Sequence, residues 1–171
     1  MSLVKAEKLD FLNELFDRYS KRVYNYFLKS TLARDDSDDL TQELFIRVMK
    51  YRKSYKEGNS FQIWIFQIAR NMIKDHFRKM KVHQDQFNPV EVIPDVEEEK
   101  GETTAEKEKQ LYRALNSLSD EKRELLVLSK FQGMKYEQIA QIREMSVANV
   151  KVQVHRTMKE LKNIYFDVEE V

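Results

Sequence analysis

Three glycines and two prolines in 171 residues leave this chain few places to turn sharply or break. Sheet sandwiches, barrels and glycine-rich phosphate loops use such residues freely, whereas helices avoid them. The fold class expected is therefore all-α. The length suits one ordinary domain or two small ones. Cysteine is absent, which removes disulfides, thiol nucleophiles and Cys-ligated zinc. A reducing, cytoplasmic setting is expected. No stretch nears the roughly 20 apolar residues of a membrane-spanning helix. The opening MSLVKAEKLD holds no apolar run of leader length, so neither membrane insertion nor a secretory leader is expected.

A net charge of +1 suggests no polyanionic partner, but the average conceals a strong polarity. Residues 47–81 carry ten Lys/Arg against two acids, a net +8, while residues 85–109 carry nine acids against three Lys, a net −6. Such asymmetry is more informative than the sum.

Helical spacing of apolar residues runs from about Lys5 to Ser30 through Leu15, Phe16, Tyr19, Val23, Tyr26 and Phe27. The turn ARDDSDDL follows, with Asp36 or Ser37 as the expected N-cap of a second helix reaching about Tyr55. KEGNS is a loop, and Ser60 is placed to cap a third helix reaching about Lys81. Both prolines and an acidic run then fall between Asp85 and Gly101, which reads as a linker. Beyond it come segments over Ala105–Leu118, Asp120–Phe131, Lys135–Ile142 and Val147–Tyr165. Thr103, Ser119 and Ser146 stand at cap positions. The expected architecture is two small helical domains, 1–82 and 104–171, joined by an acidic linker at 83–103.

The third helix, FQIWIFQIARNMIKDHFRK, combines four aromatic rings with four Arg/Lys in nineteen positions. At 100° per residue, Phe61, Ile65, Ile68, Ala69, Met72, Ile73, Phe77 and Met80 share one half. Gln67, Arg70, Lys74, Arg78 and Lys81 form a narrow stripe opposite, with Asn71 at its edge and Trp64 and Asp75 at the boundary. Such a helix is compatible with a plain solvated face or with an anionic membrane surface. It also suits a single nucleic-acid strand, whose phosphates track the cations while a ring stacks on an unpaired base.

The second helix is apolar on two sides. Leu40, Leu44, Val48, Tyr51 and Tyr55 form one stripe, and Phe45, Ile46 and Met49 a second. Such a helix is either central to its domain or lends one side to a partner. Further on, KYEQIAQIREMSVANVKVQVHRTMKEL has the pattern of a helix-turn-helix. Tyr136, Ile139 and Ala140 face inward, and Val147, Val150, Val154, Met158 and Leu161 form the buried stripe of its second helix. Asn149, Gln153 and Arg156 line the outer face, flanked by Lys151, Val152 and His155, with Ser146 at the cap. Asn and Gln can pair with adenine, and Arg with guanine or phosphate. His76 is expected to be a satisfied core residue, and His155 a surface residue or phosphate contact.

Taken in order, DDLTQELFIRVMKY, WIFQIARNMIKDHFRK and ALNSLSDEKRELLVLSKFQGMKYEQIAQIREMSVANVKVQVHRTMKEL resemble a bacterial RNA polymerase sigma factor of the extracytoplasmic-function (ECF) group. The resemblance spans about Phe11 to Tyr165. It implies that Asp39, Leu40, Gln42, Glu43 and Ile46 dock on core RNA polymerase. It implies that Trp64, Gln67, Arg70, Asn71, Lys74, Asp75 and Arg78 bind the −10 promoter element and help open the duplex, with Phe61, Phe66 and Phe77 holding the domain. It implies that Ser146, Asn149, Lys151, Val152, Gln153, His155 and Arg156 read the −35 element, and that the acidic linker threads through the polymerase. Promoter DNA and core polymerase are the implied partners, an anti-sigma factor is a further one, and no cofactor or metal is implied.

Three places depart from the family pattern. Gln138-Ile139-Ala140 stands for Glu-Ile-Ala, Arg143-Glu144 for the Leu-Gly of the turn, and Asn149 for a Thr. The alternative reading, a stand-alone helix-turn-helix regulator, leaves the first two blocks unexplained. A helical adaptor is a third possibility. No phosphate loop, metal cluster or nucleophile–base pair suggests an enzyme.

Overall fold

The computed structural model describes residues 10–56, 58–83 and 102–167, and every regular element there is helical. The α-helices are α1 (Asp10–Thr31), α2 (Arg34–Tyr51), α3 (Phe61–His83), α4 (Glu102–Asn116), α5 (Asp120–Leu126), α6 (Tyr136–Arg143) and α7 (Val147–Asp167). The acidic stretch expected as a linker lies, from residue 84 to 101, outside the described residues.

α1 and α2 form an antiparallel hairpin. Its turn is made by Leu32 at φ 60° and by Ala33, whose N–H donates to Thr31 Oγ1 at 3.3 Å. The turn is so tight that α2 begins at Arg34, with Ala33 as its N-cap. Asp36 and Ser37, expected as caps, therefore lie inside the first turn, where Asp35 and Asp36 complement the helix dipole. α2 also ends sooner than its spacing predicts. A 3-10 turn at Arg52–Ser54 follows, and Tyr55 turns its ring inward beyond it. Ser60 caps α3 as expected, accepting the Ile63 N–H at 3.4 Å. α3 then crosses both helices of the hairpin. Ile65, Phe66, Ala69, Met72 and Ile73 are buried, whereas Met80, assigned to the same face, is 46% exposed near the helix end.

In the C-terminal half, α4 and α5 pack on α7 around Ala114, Leu115, Leu118, Leu126 and Leu161. α4 starts before Thr103, so that residue is within the helix and does not cap it. α5 runs into a π-helical stretch, Val127–Phe131, closed by the Gln132 N–H on the Val127 carbonyl at 2.9 Å. Gly133, at φ 61°, then turns the chain toward α6, a conformation that costs glycine little.

The main core crosses between the halves. Val23, Tyr26, Phe27, Leu44 and Phe66 belong to one buried cluster with Leu125, Leu128, Ile139, Val150 and Val154. The two helical units thus sit face to face, with α6 against α3, and α5 and the π stretch against α1.

Candidate nucleic-acid interface

The helix-turn-helix is built as its spacing predicts. The Gln138 Oε1 accepts the Lys135 N–H at 3.0 Å, so glutamine closes the first turn of α6 as a glutamate would. Ile139 and Ala140 are buried. The turn is carried by Glu144 in the left-handed region at φ 55°, its N–H bonded to the Ala140 carbonyl. The Ser146 hydroxyl accepts the Asn149 N–H at 3.2 Å and caps α7. Val150 and Val154 are buried, but Val147, assigned to the same stripe, is 40% exposed because it sits in the first turn, ahead of the contact with α6. Asn149, Lys151, Val152, His155 and Arg156 face outward, and Gln153 is half-buried. Gln153 donates to Asn149 Oδ1 at 2.9 Å, so the two amides form one hydrogen-bonded unit along the outer face.

α3 divides as its wheel predicts, with Asn71, Lys74 and Arg78 exposed on the stripe side. Asp75 is tied to Arg78 at 2.9 Å, an exposed pair one turn apart. Trp64 is half-buried in an aromatic cluster, edge-on to Tyr55 at 5.5 Å and tilted against Phe61 at 5.7 Å. Phe66 is fully buried, and Phe77 packs beneath the Arg123 guanidinium at 5.9 Å.

The upper part of the stripe is covered. Arg70 Nε lies 3.4 Å from both oxygens of Glu124, and Gln67 donates to the Gln141 carbonyl at 3.3 Å. Glu124 also accepts the Tyr26 hydroxyl at 3.0 Å and lies 3.5 Å from Arg143 Nη1. Burial, reinforced by the Glu124 carboxylate, pushes the Tyr26 phenol well above its usual value near 10, against the opposing pull of Arg70 and Arg143. Lower down, Lys74, Phe77, Arg78 and Lys81 share an open hollow with Asp120 and Glu121. Sequence periodicity shows that these cations share a face, and it is silent on the α5 carboxylates that line the same hollow, of which Asp120 is held by Arg123 at 2.7 Å. His76 is not the satisfied core residue expected. Its Nε2 is buried with no hydrogen-bond partner and lies 3.5 Å from Asp36 Oδ2.

On α2, Leu44, Phe45 and Val48 are buried, and Leu40 packs against the core. Ile46 points away and is 62% exposed. Asp39 and Gln42 are exposed beside it, and Glu43 is held by Arg47 at 2.8 Å. The second apolar stripe is therefore split, with Phe45 tilted against Phe16 at 4.8 Å and Ile46 left to solvent. Among the described residues no cluster of His, Asp and Glu is placed to hold a metal, and no helix is long and apolar enough to cross a membrane.

The family model for sigma-70 region 2 matches residues 15–82, and that for sigma-70 region 4 matches residues 108–161. The chain is 26% identical over 166 residues to RNA polymerase sigma factor CarQ of Myxococcus xanthus, covering 94% of this chain and 92% of that protein. It is 26% identical over 157 residues to RNA polymerase sigma factor YlaC of Bacillus subtilis, covering 90% and 91%. In fold it is similar to the sigma factor RpoE of Bartonella quintana, solved in complex with the anti-sigma factor NepR. That similarity has a TM-score of 0.76 at 22% identity, over 91% of this chain and 96% of that one. It is also similar to CnrH, solved with the cytosolic domain of CnrY, at a TM-score of 0.75 and 18% identity, over 95% and 92%. With both regions matched in order along its two helical halves, the chain belongs to the sigma-70 family of RNA polymerase sigma factors, in the extracytoplasmic-function group.

Proposed function

We propose that the chain is a promoter-specificity subunit that binds core RNA polymerase, recognises −10 and −35 elements and supports DNA opening. The observation that carries this reading is the ordered match of sigma-70 regions 2 and 4 across the two halves. In it, residues 1–82 bind polymerase and the −10 element, 104–171 bind the −35 element, and the acidic segment between them connects the two.

Each role has a physical basis. On α2, Ile46 offers apolar surface beside the polar Asp39, Gln42 and Glu43, a combination suited to a protein interface with a wet rim. Leu40 supports that face from the core side. On α3, Arg70, Lys74 and Arg78 neutralise phosphates, while Gln67, Asn71 and Asp75 offer hydrogen bonds to the edge of an unstacked base. Trp64 borders that site as one wall of its aromatic cluster. On α7, Asn149 and Gln153 read base edges in the major groove, and Arg156 reads guanine or a phosphate. Ser146, Lys151 and His155 hold the backbone, with Val152 against a thymine methyl. An anti-sigma factor accompanies the similar sigma factor RpoE in its structure, and a partner of that kind fits here too. The account needs no cofactor, and all these partners belong to the cytoplasm.

The test is co-elution with bacterial core RNA polymerase, comparing the wild-type chain with Ile46→Glu. That side chain is exposed, so the fold should persist. The expected result is a complex with the wild type and at least a tenfold loss of affinity in the variant, about 1.4 kcal/mol. Equal binding by both proteins removes Ile46 from the interface. No complex with either, alongside retained duplex binding, points to the stand-alone regulator.

A further inference from the structure

Gln153 Nε2 donates to Asn149 Oδ1 at 2.9 Å across one turn of the outer face of α7. Both residues are held in place from behind. The Asn149 N–H is bound by the Ser146 hydroxyl at 3.2 Å, and Gln153 is half-buried on a helix anchored by the buried Val150 and Val154. Asn149 is exposed and is the third residue of α7. The first turn of such a helix is the part that reaches base edges in the major groove.

A free Asn amide suits adenine, because its oxygen accepts from N6 while its nitrogen donates to N7. In this chain the oxygen is already committed to Gln153. A second lone pair remains on Oδ1, but the bond fixes the amide plane, so that it no longer turns freely to match adenine. What Asn149 offers the groove is the pair of N–H donors on Nδ2. Adenine would set its N6 amino group against them, leaving donors unpaired in a desolvated contact, which is costly. Guanine presents N7 and O6, two acceptors side by side. Gln153 keeps its own Oε1 as an acceptor for the amino group of a neighbouring base. The pair thus has a polarity, with donors at Asn149 and an acceptor at Gln153. We infer that Gln153 is a positioning residue that sets the hydrogen-bonding sense of Asn149, so that Asn149 selects guanine over adenine. The inference rests on the proposed contact of α7 with the −35 duplex.

The experiment uses the full chain bound to bacterial core RNA polymerase. A pool of randomised duplexes is offered, and those retained are sequenced. The wild type is compared with Asn149→Ala, Gln153→Met and Gln153→Glu, and circular dichroism checks that each keeps its helices. The base pair in question is the one whose preference Asn149→Ala relaxes most. Gln153→Met keeps the length of the stem and removes the bond. Gln153→Glu accepts where glutamine donates, so the Asn149 amide turns over and shows its oxygen to the groove. The expected result is a wild-type preference for guanine over adenine of about fivefold or more at that pair. Gln153→Met should abolish this ratio, and Gln153→Glu should reverse it toward adenine. A pair that only stabilises the helix leaves the ratio unmoved, which overturns the inference. A wild-type preference for adenine, or no pair relaxed by Asn149→Ala, overturns it as well. In each of these outcomes the wild type still enriches a shared sequence and the proposed function stands. If the wild type forms no complex or enriches no shared sequence, the −35 reading fails and the inference falls with it.

Discussion

Glu144 holds a conformation that suits glycine. At φ 55° a side chain crowds the following carbonyl, which costs about 1–2 kcal/mol. Glu144→Gly should relieve most of that, less the extra freedom gained by the unfolded chain. A net stabilisation of about 0.5–1 kcal/mol is expected, read as a rise of a few degrees in Tm. A fall in Tm would mean that the glutamate side chain holds the turn. The same turn shows what residue identity discloses. Ser60 and Ser146 were legible as caps because their type and position coincide with helical starts, and both accept the expected N–H. The cap of α2 was misplaced because Leu32, a residue with no turn preference, takes the left-handed conformation that sets the start at Arg34. On α7, the Gln153–Asn149 hydrogen bond couples two residues that the sequence treats as independent. Asn149→Ala should cost about 1–3 kcal/mol at particular base pairs of a duplex target, and it should also free Gln153. Competition between duplexes of varied sequence measures it, and a uniform loss on every sequence would reduce Asn149 to a backbone contact.

α3 was the most legible element, because an uninterrupted 3.6-residue period places its apolar and basic residues on opposite sides. The buried set Ile65, Phe66, Ala69, Met72 and Ile73 follows that period. Which neighbour covers each side is not written in the period. Lys74 and Arg78 are exposed, so they supply the cleanest test of phosphate contact. With Lys74→Ala and Arg78→Ala together, the slope of log affinity against log salt should flatten by about 1.4 on a single strand, two contacts at about 0.7 each. An unchanged slope would take both residues off the nucleic acid. α2 was partly legible. Its two apolar sides were visible, but only tertiary packing, in which Phe45 joins the main core and meets Phe16, distinguishes it from the exposed Ile46.

The contact between the halves was not legible at all. It joins residues as far apart as Arg22 and Gln132 through side chains that also make good surface residues, and no local pattern marks Glu124 as the partner of Arg70. The contact has a pH signature. The Tyr26 phenol is held neutral, its pKa raised chiefly by burial and further by Glu124. Above about pH 10 the separated or unfolded chain releases this proton first, so the packed state loses stability from there upward and keeps it fully below. Thermal unfolding followed from pH 8 to 11 should show this decline, and Tyr26→Phe should flatten it. An identical decline in the variant would assign it to other groups.

Above these scales stands the claim that the molecule directs initiation. The most direct measurement is mapping of transcript 5′ ends made by bacterial core RNA polymerase on genomic DNA of the host, with and without this chain. The account predicts new, discrete start sites that depend on the chain and share sequence near −10 and −35. Identical transcripts in its presence and absence would contradict it.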